Sequence, residues 1–198
     1  MKQKVLLASN NAHKIKEIRA ILGDFFDIVS LREAGVESDP EETGKTFEEN
    51  ARIKAVAGMK ASGMPCIADD SGLEVIALDC RPGVMSARYS GSHGDDAANN
   101  EKLLAELSDK PDRSARYVCV ICMAFPDGRE LEARGECYGE ILKEKRGNGG
   151  FGYDPLFYFP QFGKTFAEIS AEEKNEVSHR NAALKAFEKL WEKEINDK

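Results

Sequence analysis

Apolar residues recur along this chain in two rhythms, and the order of those rhythms sets the fold class. Residues 3–9, QKVLLAS, read as a buried strand. Residues 13–23, HKIKEIRAILG, place Ile15, Ile18 and Leu22 at helical spacing, with Gly23 as a stop. FDIVSL (26–31) is a second strand, and a β-α-β opening implies an α/β fold. An acidic loop (36–46) precedes an Ala-rich helix ending near Gly63. PCIADDSGLEVIAL (65–78) reads as a strand, a Ser71-Gly72 turn and a second extended stretch. A Gly/Ser-rich loop (81–94) leads to an amphipathic helix capped by Asp95. Two strands flank Pro126-Asp127-Gly128, a hairpin signal. After the segment GNGGFGYDPLFYFP, a last helix begins at His179-Arg180 behind Ser178 as cap. No repeat or long linker appears, so residues 1–198 are expected to form a single domain.

Composition narrows the picture. Hydrophobic residues make up 41% of the chain and charged residues 32%, an ordinary soluble balance. The mean hydropathy is −0.47, and no apolar run approaches the ~18 residues of a membrane span. Near the start only VLLA is apolar, too short for a secretory signal, so the expected location is cytoplasmic. Five cysteines, an odd number, argue against a disulfide framework in that setting. Cys119 and Cys122 lie on a strand pattern, where positions three apart face opposite ways, so they read as buried thiols. The net charge of −7 argues against nucleic acid as partner but leaves room for a small anion in a local basic pocket.

Five stretches carry candidate chemistry. In ASNNAHK a strand ends, small polar residues turn and a helix begins. Helix N-termini suit phosphates, and Ser9, Asn10 and Lys14 add donors; the alternative is an ordinary cap. Glu41 and Glu42 precede a Thr-Gly turn, with Glu49, Asn50 and Lys54 on the following helix. Mg²⁺ takes one or two such carboxylates plus substrate phosphates, although a solvated acidic loop looks the same. In ADDSG, strand alternation aims Asp69 and Asp70 to opposite sides, so one can ligate a metal while the other orients or deprotonates a water, and Ser71 with the Gly72 turn can donate to a phosphate; an Asx turn is the competing reading. Gly147, Gly149 and Gly152 formally fit GxGxxG, but Pro155 disfavours the helix that a dinucleotide fingerprint must open. A loop that lets Phe151 stack on a flat ring, with Asp154 reading its edge, suits the residues better. Last, Lys174, His179 and Arg180 form a basic cluster at a helix start, able to bond a purine carbonyl or phosphate.

Taken in order, LLASNNAHK, ETGKTFEENARIKA, IADDSGLEV, PGVMSARYSG, GNGGFGYDPLF and TFAEISAEEKNEVSHR resemble the inosine/xanthosine triphosphate pyrophosphatase family from about residue 5 to residue 187. The resemblance implies an elongated mixed β-sheet flanked by helices, with two lobes around a central nucleotide-binding cleft, and a homodimer. It implies Mg²⁺-dependent cleavage of ITP, dITP or XTP to the monophosphate and pyrophosphate. It implies that Ser9, Asn10, Asn11, Ala12, His13 and Lys14 hold phosphates and that Ser71 touches substrate. Asp70 would be the water-activating base and a metal contact, with Glu42 or Glu41 as a further ligand. Phe151, Gly152, Tyr153, Asp154, Lys174, His179 and Arg180 would hold the base and nearby phosphate. Two other readings remain open: a nucleotide-binding module without turnover, and a pyrophosphatase for modified pyrimidine nucleotides.

Overall fold

The computed structural model describes residues 2–196. Its order is β1 (Gln3–Leu7), α1 (Ala12–Leu22), β2 (Phe26–Ser30), α2 (Leu31–Ala34), α3 (Phe47–Ser62), β3 (Cys66–Val75), β4 (Arg81–Pro82), α4 (Asp96–Glu106), β5 (Ser114–Ala124), β6 (Glu130–Ile141), β7 (Phe157–Phe159), β8 (Lys164–Thr165), α5 (Ala171–Val177) and α6 (His179–Asn196). One mixed sheet runs β2-β1-β3-β5-β6-β7-β8, with β4 on β3, and helices flank it. This is the α/β class that the periodicity implies. The β1 strand pairs in parallel with both β2 and β3. No helix among the described residues is long and apolar enough to cross a membrane.

The chain packs as two units. Among the described residues the first comprises 2–70, 119–135 and 180–196; the second comprises 71–118 and 136–179. The first core joins Val5, Leu7, Ile18, Leu22, Ile121 and Phe187, so the apolar stripe of α1 and that of α6 both bury on the sheet. The second is aromatic, built on Tyr117, Tyr153, Phe157 and Phe166 with Leu103 and Leu107 behind α4. Each large buried side chain contributes roughly 1.5–3 kcal/mol on folding.

Local signals account for most boundaries. Thr46 caps α3 by accepting from Glu49 N–H, and Gly63 closes it at φ +69°. Asp95 caps α4 through Ala98 N–H. Two details differ from the sequence pattern. Leu31 does not extend β2 but opens α2, because Ser30 and Glu33 form a reciprocal capping box. The expected turn at Ser71-Gly72 is absent: β3 runs unbroken through it. An Asx turn needs an Asp oxygen on nearby backbone, and both aspartate side chains here are drawn to cations instead. Beyond them, Ser86 Oγ accepts from Leu73 N–H at 2.9 Å and β4 pairs at Glu74 and Val75, which keeps the strand extended.

Candidate active site

In the first unit, chemistry gathers just past the carboxyl end of β1. Its pairing with β3 stops at Leu7↔Ile67, and Ala8 N–H adds one bond to Ile67 O. Asp69 and Asp70 therefore lie on β3 beyond the last β1 partner, the usual ligand-binding edge of a parallel sheet. The Ala8–Asn11 connection is shaped by its own side chains. Ser9 Oγ accepts from Asn11 N–H, and Asn11 Oδ1 accepts from Lys14 N–H, each at 3.2 Å. This opens α1 with Asn10, Asn11 and Ala12 exposed and Ser9 half-buried. The first-turn N–H groups of a helix lack intrahelical partners, so the loop is competent for an anion. The side chain of His13 lies outside the described residues.

The two aspartates face opposite ways, as alternation on a strand requires. Asp69, fully buried, meets Lys14 Nζ at 2.8 Å and Arg180 Nε at 3.5 Å. Arg180, equally buried, also donates to Glu17 at 2.6 Å. Burial pushes the Asp69 carboxyl up, but Lys14, Arg180 and Lys54 together outweigh it and hold the group below its ordinary value.

Asp70 turns to α3, where its Oδ1 accepts from Lys54 Nζ at 2.8 Å and Glu42 accepts from the same ammonium at 2.9 Å. Here burial wins: it raises the Asp70 pKa against the pull of Lys54. Burial lowers that of Lys54, yet Asp70, Asp69 and Glu42 together raise it. Asp70 Oδ2 is buried with no hydrogen-bond partner among the described residues, a costly state for a carboxylate oxygen. Glu42 is set by a tethered loop, since Asn50 Oδ1 accepts from Gly44 N–H at 2.9 Å and Glu49 from Lys45 N–H at 2.5 Å. Glu41 is exposed, so of the two expected glutamates it is Glu42 that joins Asp70. No cluster of three or more metal-ligating side chains occurs among the described residues. Mg²⁺ needs fewer when substrate phosphates complete its shell, so Asp70 Oδ2 and Glu42 fit that ion. Ser71 follows on β3, half-buried.

In the second unit the Gly-rich loop closes on Asp154. That carboxylate, 1% exposed, accepts from Tyr117 Oη at 3.2 Å, from Phe151 N–H at 2.9 Å and from Lys174 Nζ at 2.5 Å. A Cβ at Gly150 would sit 2.2 Å from the Asp154 carboxylate, so close approach to Asp154 dictates that glycine, whereas the formal GxGxxG match has no part in it. Phe151 is 46% exposed, with Lys174 Nζ 4.4 Å from its ring centroid. Tyr117 stacks on buried His179 at 4.8 Å, and burial together with Asp154 raises the tyrosine pKa well above its ordinary value. Tyr153 is buried and donates to Ser86 O at 2.8 Å.

These placements refine the sequence reading. Arg180 is engaged with Asp69 and Glu17, and Asp154 turns its oxygens to its own loop, Tyr117 and Lys174. Lys54, Glu17 and Tyr117 belong to the two clusters without a role in the sequence reading, and Asp69, expected there to share the metal and water work with Asp70, is instead paired with Lys14 and Arg180. Lys54 had a usable signal: on α3 it lies one turn after buried Asn50, between buried Ala51 and Ala55, where a surface lysine is out of place. Tyr117 sits on an apolar strand, a pattern that carries no such signal.

Against known proteins, the model of the Ham1 family matches residues 5–190. The chain is 56% identical to a dITP/XTP pyrophosphatase of Desulfotalea psychrophila, over 91% of this chain and 81% of that protein. It is 52% identical to a dITP/XTP pyrophosphatase of Clostridium perfringens, over 92% and 94%. Among solved structures it resembles a Ham1 protein of Staphylococcus aureus, with a TM-score of 0.90, 45% identity and coverage of 97% and 100%. A HAM1 protein from Coxiella burnetii gives 0.91 at 42% identity, with coverage of 96% and 99%.

Proposed function

The chain belongs to the Ham1 family, and on that premise we infer that it is a nucleoside-triphosphate pyrophosphatase acting on the non-standard purine nucleotides dITP, XTP and ITP. It releases the monophosphate and pyrophosphate, and so removes deaminated purines from the nucleotide pool. The observation in the chain that best supports turnover is Asp70. A protein that bound phosphates through cations and backbone alone would gain nothing by burying a carboxylate with an unpartnered oxygen.

In this reading Asp70 takes the proton of the attacking water at Oδ2. Burial raises its proton affinity in the metal-free chain, and a bound cation would pull it back down, so the group would stay ionised and able to accept the proton. Lys54 holds the opposite oxygen and fixes the direction of the lone pairs. Lys14 and the first turn of α1, with Ser9 to His13, neutralise and orient phosphate oxygens, and Asp69 keeps Lys14 and Arg180 in place. Phosphoryl transfer asks for little beyond such positioning and charge compensation. Mg²⁺, held by Asp70 and Glu42, would neutralise phosphate charge and acidify water when bound. For the purine, the half-exposed ring of Phe151 offers a stacking face. Lys174, with His179 and Arg180, supplies donors that suit a 6-oxo group and leave an adenine amine unmatched, at about 1–3 kcal/mol per buried mismatch. Ser71 completes the proposed substrate contacts, while Gly152, Tyr153 and Asp154, whose polar groups are engaged within the protein, shape the loop that presents the ring. The protein works as a cytoplasmic homodimer in this proposal, for which the family resemblance is the support.

Product analysis tests the reading. Purified protein is given ITP, XTP, ATP, GTP and dUTP with and without Mg²⁺. Monophosphate and pyrophosphate from ITP and XTP, only with the metal, are expected. Orthophosphate would mean the wrong anhydride is cut. Faster turnover of dUTP would move the assignment to pyrimidines. Nucleotide binding without turnover would leave a binding module.

A further inference from the structure

The loop that carries Phe151 is held by Asp154 and by buried Tyr153, but between them Gly152 has no side chain to anchor it. Gly152 adopts the left-handed conformation at φ +61°, and a Cβ built there would meet no atom within 4 Å. Next to it is a cavity of about 490 Å³ bordered by Asp96, Asn100, Phe151 and Gly152. No side chain therefore packs at this position, and the contacts that hold Gly152 itself are polar. Both of its backbone groups are bonded to the first turns of α4: Gly152 N–H donates to Asp96 Oδ2 at 2.6 Å, and Gly152 O accepts from Asn100 Nδ2 at 2.8 Å.

The clamp is itself rigid. Asn100 is 2% exposed, and its Nδ2 also donates to Asp96 O at 2.6 Å. Two carbonyls facing one amide nitrogen settle which way the side chain points. They also leave Asn100 Oδ1 buried without a partner, a cost tolerated to keep the nitrogen on Gly152. Asp96 opens α4, where a carboxylate is favoured by the helix dipole, and its bond to Gly152 is charge-assisted. Nothing in the reaction calls on Asp96 or Asn100.

We propose that Asp96 and Asn100 are positioning residues for purine recognition: by clamping both backbone groups of Gly152 to α4, they fix the presentation of the Phe151 ring without touching substrate. The inference rests on the reading of Phe151 as the base-stacking ring, and the experiment separates the two.

Steady-state kinetics with ITP are measured for Asn100→Ala, Asp96→Ala, Asp96→Asn, Phe151→Ala and the Asn100→Ala/Phe151→Ala double variant. A misplaced ring weakens ground-state and transition-state binding alike, so KM rises while kcat holds. For Asn100→Ala and Asp96→Ala we expect KM to rise about tenfold, equivalent to roughly 1.4 kcal/mol, with kcat within about twofold of the parent. Asp96→Asn, whose amide oxygen still accepts from Gly152 N–H, returns KM toward the parent value. In the Phe151→Ala background, Asn100→Ala adds little, because the clamp acts through that ring. Asp96 is exposed, so its two variants carry the test if Asn100→Ala folds poorly. An unchanged KM in Asn100→Ala and Asp96→Ala, or a full effect persisting without Phe151, overturns the clamp while leaving the stacking reading intact. An unchanged KM in Phe151→Ala overturns the stacking reading itself, and the clamp with it.

Discussion

Asp69→Asn removes one charge and keeps the shape, so it isolates what the buried ion cluster contributes. In the parent, a carboxylate whose side chain is 2% exposed answers Lys14 at 2.8 Å and Arg180 at 3.5 Å. Breaking a buried pair by removing one partner costs about 3–5 kcal/mol, because the remaining charges stay desolvated. Two features place this case near the lower end. Arg180 keeps Glu17 at 2.6 Å, and the Lys14 side chain is 20% exposed. About 3 kcal/mol at roughly 2–4 °C per kcal/mol for a chain of this size lowers Tm by about 6–12 °C at neutral pH. The pH dependence gives a second check. Asp69 sits below its ordinary value of 3.8 in the folded protein. Its stabilisation is therefore fully present above that value and fades as pH falls below it, where the unfolded chain takes up the proton first. Scanning calorimetry of parent and variant should show a constant gap in Tm from about pH 8 to 5 and a narrowing gap towards pH 3. A variant melting within about 2 °C of the parent at pH 7, or a gap undiminished at pH 3, would refute the argument.

Asp70→Asn should lower ITP turnover by about 10²–10⁴-fold while calorimetric binding of ITP persists; unchanged turnover would remove Asp70 from the base role. Lys54→Met takes away the main cation opposing burial at Asp70, so the Asp70 pKa climbs further. The base must be ionised to act, so the acid limb of the kcat profile moves to higher pH, and a limb that stays in place contradicts the pairing. Of the five thiols, Cys66, Cys119, Cys122 and Cys137 are buried and only Cys80 is half-buried. Burial pushes those four up to about 12. A thiol reagent should thus label one cysteine quickly in the folded protein and all five after unfolding; more than one fast label would count against this packing.

Much of the architecture is written in local rhythm. Ile15, Ile18 and Leu22 recur at the helical period because one face of α1 buries, and the Pro126-Asp127-Gly128 turn separates β5 from β6 as its chemistry demands. Alternation on β3 separates the two carboxylates without any knowledge of their neighbours. That much depends on residues a few positions apart, and a chain read in order displays it. The partners do not follow in the same way. Asp69 is defined by residues 14 and 180, Asp70 by 42 and 54, and Asp154 by 117 and 174. Periodicity carries no information about such distances along the chain. The same limit explains the turn expected at Ser71-Gly72: local propensity favours it, but distant cations and the Ser86 bond hold the strand straight. It also explains why Glu42 rather than Glu41 reaches Lys54, since the loop's course is set by Asn50 and Glu49 from the helix below. Local pattern along the chain is enough to say which residue types stand on which element and face. The tertiary structure decided which charges meet and which carboxylate oxygen is left to act, because burial and long-range pairing exist only once the chain has closed on itself.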